Sequence, residues 1–147
     1  MKIKTLTVIA LLLLQNNSAL ADEKGIKDNL EAKGCGIITV YKKPPKTKNV
    51  HYAAINSIDG VVVSTKSRSF VLTTGKHVIK VIENIRENSL TRRRGEMKNF
   101  KYIEIDIQAN KKYALGAKFI RKNRSKLKTG EYWQPVVWSE SEESCKL

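Results

Sequence analysis

Beyond residue 35 the chain alternates apolar and polar residues in short runs, and none holds a 3.6-residue apolar period for three turns. The runs are 36–42, 50–57, 61–66, 69–74, 76–85, 100–109, 112–121 and 132–138, rich in Val, Ile, Tyr and Thr and separated by turn residues. Short strands between turn signals predict an all-β chain. The expected architecture is a single-domain antiparallel β-sandwich of seven or eight strands, Ig-like or prealbumin-like.

The clearest alternation lies in 100–109 and 112–121. Ile103, Ile105, Ile107 and Ala109 share one face, opposite Glu104, Asp106 and Gln108, and Tyr113, Leu115, Ala117 and Phe119 share a face of the next run. Matching those faces in a hairpin with the loop Asn110-Lys111-Lys112 pairs Ile107 with Leu115 and Ile103 with Phe119, and sets Glu104 opposite Lys118. A second hairpin is predicted at Thr74-Gly75, with Phe70 and Leu72 facing Ile79 and His77. Asp59-Gly60 reads as a tight turn joining 50–57 to 61–66. Pro135 removes a ladder donor, which marks 132–138 as an edge strand.

The N-terminal pattern differs. Lys2 and Lys4 precede an apolar run from Leu6 to Leu14, and Ala19-Leu20-Ala21 places small residues where a signal peptidase reads. Residues 1–21 are expected to be a signal peptide, since the run is far below the roughly 20 residues that span a bilayer. Residues 22–35 read as a mobile leader, 36–138 as the β domain and 139–147 as an acidic tail carrying Glu140, Glu142 and Glu143. The protein is therefore expected to be exported, periplasmic or envelope-associated. Cys35 and Cys145 are its two cysteines, and in an oxidising compartment such a pair predicts a disulfide. They lack the spacing of a redox centre and cannot alone complete a zinc site, so no metal or cofactor is expected.

A net charge of +14 implies anionic neighbours of some kind. The dense basic clusters are Arg92-Arg93-Arg94 and the run 121–128, so Arg92, Arg93, Arg94, Arg121, Lys122 and Arg124 are candidate anion contacts. Tyr132, Trp133 and Trp138 form an aromatic row that could dock a partner or fill the core. His51 and His77 are the two histidines, which raises the idea of acid–base cleavage of a phosphodiester. The plainer expectation packs His77 beside Leu72 and leaves His51 exposed at a strand start. The sequence holds no GxSxG elbow, HExxH, phosphate-binding glycine loop or calcium loop.

The segment Ile58-Asp59-Gly60-Val61-Val62, the run Phe70-Val71-Leu72-Thr73-Thr74-Gly75-Lys76-His77-Val78-Ile79 and the later Asn110-Lys111-Lys112-Tyr113-Ala114-Leu115 resemble the turn and hairpin motifs of PEGA-like domains. Those are small β-sandwich domains of exported bacterial proteins. Thr74 stands where that family commonly has proline, and Asn110 where it has glycine. The resemblance implies a fold, transfers no active site and tilts toward a non-catalytic role. The expected function is an exported envelope protein binding anionic envelope material or an acidic partner through basic loops. The alternatives are an accessory subunit docking by its C-terminal edge strand, and a small basic secreted hydrolase. No specific nucleic acid is expected, since no basic and aromatic interleaving appears.

Overall fold

Eight strands follow one another in the computed structural model, which describes residues 34–87, 90 and 99–146. The expected signal segment, residues 22–33 of the leader and Arg92, Arg93 and Arg94 lie outside the described residues. The strands are β1 (Cys35–Thr39), β2 (Val50–Ile58), β3 (Val61–Val62), β4 (Ser69–Thr73), β5 (Gly75–Asn84), β6 (Phe100–Ile107), β7 (Lys111–Phe119) and β8 (Trp133–Glu142). They form one mixed sheet ordered β4-β1-β7-β2-β5-β6, with β3 added to β2 and β8 to β7. The β-rich expectation is met, and the pairings are mostly antiparallel, with β1 running parallel to β7.

Strand β2 joins two halves of the sheet. Val50 and His51 pair with Lys118 and Ala117 of β7, whereas from Tyr52 onward the strand pairs with β5. A register shift between Ile55 and Ser57 adds bend to β2, as bulges do. Both halves feed one core, in which Ile38, Ile55, Ile79, Val81, Ile107, Leu115, Phe119 and Trp133 are buried.

Neither predicted hairpin at Asn110 or at Thr74-Gly75 forms. Strand β6 pairs with β5 from Gly75↔Ile107 to Ile82↔Phe100, while β7 pairs with β1, β2 and β8. The chain instead crosses between the halves at Gln108-Ala109-Asn110. Asn110 adopts a φ of 56° there and donates its N–H to Cys35 O at 2.8 Å. The Tyr113 hydroxyl ties the crossing down, accepting from Gln108 N–H at 3.0 Å and donating to Asp106 O at 3.4 Å. The apolar faces of β6 and β7 do share one core, but the strands are not ladder partners. Glu104 consequently pairs with Lys76 at 3.2 Å and not with Lys118. Gly36 lies beneath the crossing, where a Cβ would come within 2.7 Å of Gln108 O and Ile107 Cγ2. Strands β4 and β5 part in the same way, β4 pairing with β1 and β5 with β2 and β6.

The Asp59-Gly60 turn forms as read. Its φ values of 49° and 81° suit a two-residue type I′ turn, and Ser57↔Val62 and Ile58↔Val61 pair across it. The following strand stops at Val62, short of the expected 61–66. At the other end β8 pairs with β7 alone, so Pro135 does sit on an edge strand. That strand extends to Glu142, which brings Glu140 and Glu142 into the sheet where an acidic tail following the β domain was expected. The disulfide Cys35–Cys145 is present, with Cα atoms 5.9 Å apart and 110 residues between the cysteines. Closing a loop of that size is worth up to about 4.7 kcal/mol in chain entropy.

Candidate functional site

A cleft of about 1010 Å³ opens where the β1–β2 connection passes the ends of β2 and β5. Pro44 and Pro45 stiffen this connection ahead of a 3₁₀ turn at Lys46–Lys48, and Asn49 ends the turn at a φ of 57°. Tyr41, Lys42, Lys43 and Lys46 line the cleft from this connection, Arg68 from the segment before β4, Arg86 from the segment after β5 and Lys112 from β7. Six cations thus converge from four segments, and among the described residues no Asp or Glu lines the space. Arg68 is held by its carbonyl, which accepts from Val40 N–H at 2.8 Å and from the Thr39 hydroxyl at 3.1 Å. Its guanidinium lies 5.5 Å from the Tyr41 ring centre. Lys42 donates to Ser139 Oγ at 3.0 Å and sits 5.3 Å from the Trp138 ring centre. Among the described residues, Lys112 alone of the six pairs with a carboxylate, that of Glu143 at 2.8 Å. A concave wall of one charge sign concentrates field lines and draws in anions.

His51 lies on the floor of this cleft. It is 6% exposed, against the expectation of an exposed ring, because its end of β2 passes between β7 and the β1–β2 connection. Its ring meets Phe119 edge-on with centres 6.3 Å apart. Nε2 has no hydrogen-bond partner, and the nearest carboxylate oxygen, Glu87 Oε1, stands off at 3.4 Å. Burial holds the imidazole below its usual 6.5. Glu87 opposes that shift, Lys46 and Arg121 add to it, and Glu83 weakly opposes it. A buried polar atom without a partner costs about 1–3 kcal/mol.

Glu83 is a further buried polar residue on the inner row Ile79-Val81-Glu83-Ile85 of β5 and the segment after it. It is 0% exposed, and its carboxylate accepts from Ile85 N–H at 2.8 Å and from the Tyr132 hydroxyl at 2.9 Å. Asn99 Nδ2 in turn donates to the Tyr132 oxygen at 3.4 Å and to Leu127 O at 3.1 Å. The group is sealed from solvent, which suits it to hold β5 against β8. The available signal was the lone acid in an otherwise apolar alternation.

His77 does not pack on Leu72 as its main contact. Its Nδ1 lies 2.6 Å from Asp59 Oδ2 and its Nε2 2.8 Å from Thr73 O. Both partners are acceptors, so a ring carrying a proton on each nitrogen satisfies both contacts. Asp59 Oδ1 also accepts from Val78 N–H at 2.8 Å. That bond and the one from His77 draw the carboxyl below its usual 3.8. His77 stands near the start of β5 and His51 beside its far end, where Tyr52 pairs with Asn84. At about 3.3 Å per residue along a strand, roughly 25 Å separates them. The two rings do not form a common acid–base site.

The other predicted site residues fall elsewhere. Arg121, Lys122 and Arg124 are exposed on and after a 3₁₀ turn at Arg121–Asn123, outside the cleft lining. Arg121 Nε donates to Asn49 Oδ1 at 2.8 Å. Tyr132 and Trp133, candidates for docking, are 1% and 0% exposed and fill the core. The register passes from Ala114↔Ser139 to Leu115↔Val137, so Trp138 is the extra residue of a bulge, half-buried, with Nε1 unpartnered. That bulge breaks the simple alternation on which the docking row rested. The cleft cations are the residues that sequence reasoning missed, because Lys42, Lys43 and Lys46 meet Arg68, Arg86 and Lys112 only once four segments are brought together. A comparison of the chain with family models, with curated proteins and with solved structures finds no match in any of the three.

Proposed function

We propose that this protein is a non-catalytic binding module that takes an anionic ligand in the cleft floored by His51. One observation carries the reading: six cations converge on a single concave space with no carboxylate among the described residues of its lining. The anion contacts thus move from the basic loops to Lys42, Lys43, Lys46, Arg68, Arg86 and Lys112. The exported, envelope-associated location belongs to the same proposal. It is supported by the Cys35–Cys145 bond, which persists in oxidising compartments, and by the composition of residues 1–21. We also infer that the two halves of the sheet close as a β-sandwich. Lys101 Nζ on β6 donates to Trp133 O on β8 at 2.7 Å, and Glu83 meets Tyr132, which supports this closure. The accessory-subunit alternative loses two of its three docking residues to the core.

The test is thermal unfolding with added tripolyphosphate. The melting temperature should rise with dose. The rise should vanish in Lys43→Ser/Lys46→Ser/Arg86→Ser and persist in Arg121→Ser/Lys122→Ser/Arg124→Ser. An unmoved melting temperature, or equal loss in the two variants, would refute the cleft as the site.

A further inference from the structure

The cleft opens onto an aromatic strip. Alternation along β2 puts Tyr52 and Ala54 on the face opposite His51 and Ala53. The register sets Tyr52 beside Asn84 and Ala54 beside Ile82, then Ile82 beside Phe100 and Lys80 beside Tyr102. Tyr52, Phe100 and Tyr102 therefore share the outer face of β2, β5 and β6, and they are 42%, 51% and 60% exposed. Phe100 and Tyr102 meet edge to face with centres 6.0 Å apart, and Lys80 Nζ stands 3.9 Å from the Phe100 ring centre. Tyr52 lines the cleft, so the strip begins inside the basic space and crosses about 10 Å of sheet to the β6 edge.

We propose, building on the cleft as an anion site, that cleft and strip together bind one extended anionic polysaccharide. Its acidic groups lie on the cleft cations, and its sugar rings lie over Tyr52, Phe100 and Tyr102. The cleft cations come from four segments, so a ligand with several spaced charges can meet more of them than one compact anion. An anion without rings leaves the three solvent-facing aromatics unused. A pyranose presents polarised C–H bonds, which meet the negative face of an aromatic ring favourably. A single-stranded nucleic acid would also supply charge and rings. The disulfide favours the glycan, because such bonds persist in oxidising compartments, away from most nucleic acid.

The experiment is calorimetric titration of the purified chain with an oligogalacturonate hexamer, with long-chain polyphosphate and with oligo-dT. The hexamer should bind. Phe100→Ser/Tyr102→Ser, both at exposed positions, should weaken it about fivefold and leave polyphosphate unchanged. Lys43→Ser/Lys46→Ser should weaken both ligands and reduce their salt dependence. If the hexamer binds and Phe100→Ser/Tyr102→Ser leaves it unaffected, or if polyphosphate alone binds, the ring contacts are refuted and the anion cleft stands. Tighter binding of oligo-dT that is lost in Phe100→Ser/Tyr102→Ser overturns the glycan in favour of nucleic acid. Absence of binding by all three probes removes the cleft reading itself.

Discussion

The two ends of β5 meet opposite histidine environments. At its start, His77 has a partner on each ring nitrogen and Asp59 is engaged by both ring and backbone, although the turn faces solvent. Near its far end, Glu83 is sealed and fully engaged, yet neighbouring His51 is buried with Nε2 unpartnered under a basic space. The first end has its polar chemistry closed within the chain, as a turn lock requires. The second keeps one buried nitrogen without a hydrogen bond, 3.4 Å from the Glu87 carboxylate, beside a basic cleft.

The largest change should come from Glu83→Ala, which removes the buried acceptor of the Tyr132 hydroxyl and Ile85 N–H and costs about 3 kcal/mol in urea unfolding. Glu83→Gln keeps an acceptor and should cost clearly less. At the opposite end Asp59→Ala removes two bonds from a solvent-facing turn and should cost about 1 kcal/mol. A larger loss at Asp59 than at Glu83 would invert the comparison.

The pH profile separates the two ends further. The folded pKa of His51 lies below 6.5, so the unfolded chain holds more protons in between. Its contribution to stability is therefore full above pH 6.5 and lost as pH falls through the folded value. Asp59 lies below 3.8, so its contribution is present above 3.8 and is lost only on stronger acidification. His51→Gln should flatten the upper window and Asp59→Asn the lower one, read as melting temperature against pH. The smallest effect concerns the ligand. An anion beside His51 favours its charged form, so the ratio of tripolyphosphate affinity at pH 5.5 to that at pH 7 should be somewhat higher in the parent chain than in His51→Gln, a comparison in which the probe's own protonation cancels.

The strands were legible in the sequence because alternation is a property of each strand by itself. Their pairing was not. Matching the apolar faces of 100–109 and 112–121 is satisfied by a hairpin, where the strands lie side by side, and equally by a crossing, where they face one another over the core. Tyr113 reaching back to Asp106 and Gln108 favours the crossing, and no local pattern announces that contact. Asp59-Gly60 was legible because two adjacent positive φ values admit few residues and one geometry. The site was illegible for a related reason. Arg92-Arg93-Arg94 and the 121–128 run are dense in sequence, whereas the cleft gathers cations from residues 42 to 112 that meet only after folding. His51 and Glu83 carried a fainter mark, a polar residue on an inward row, and its meaning depends on which strands lie across from it.

The Cys35–Cys145 link bears on how this molecule withstands breakage and load. It bridges the first and last parts of the described sheet, with 110 residues of chain between. A single protease nick anywhere in that span yields two pieces that still migrate as one unless a reductant is added. A pull applied before Cys35 and after Cys145 travels across the sulfur bridge and bypasses every strand, so the sheet is mechanically shielded from its own termini.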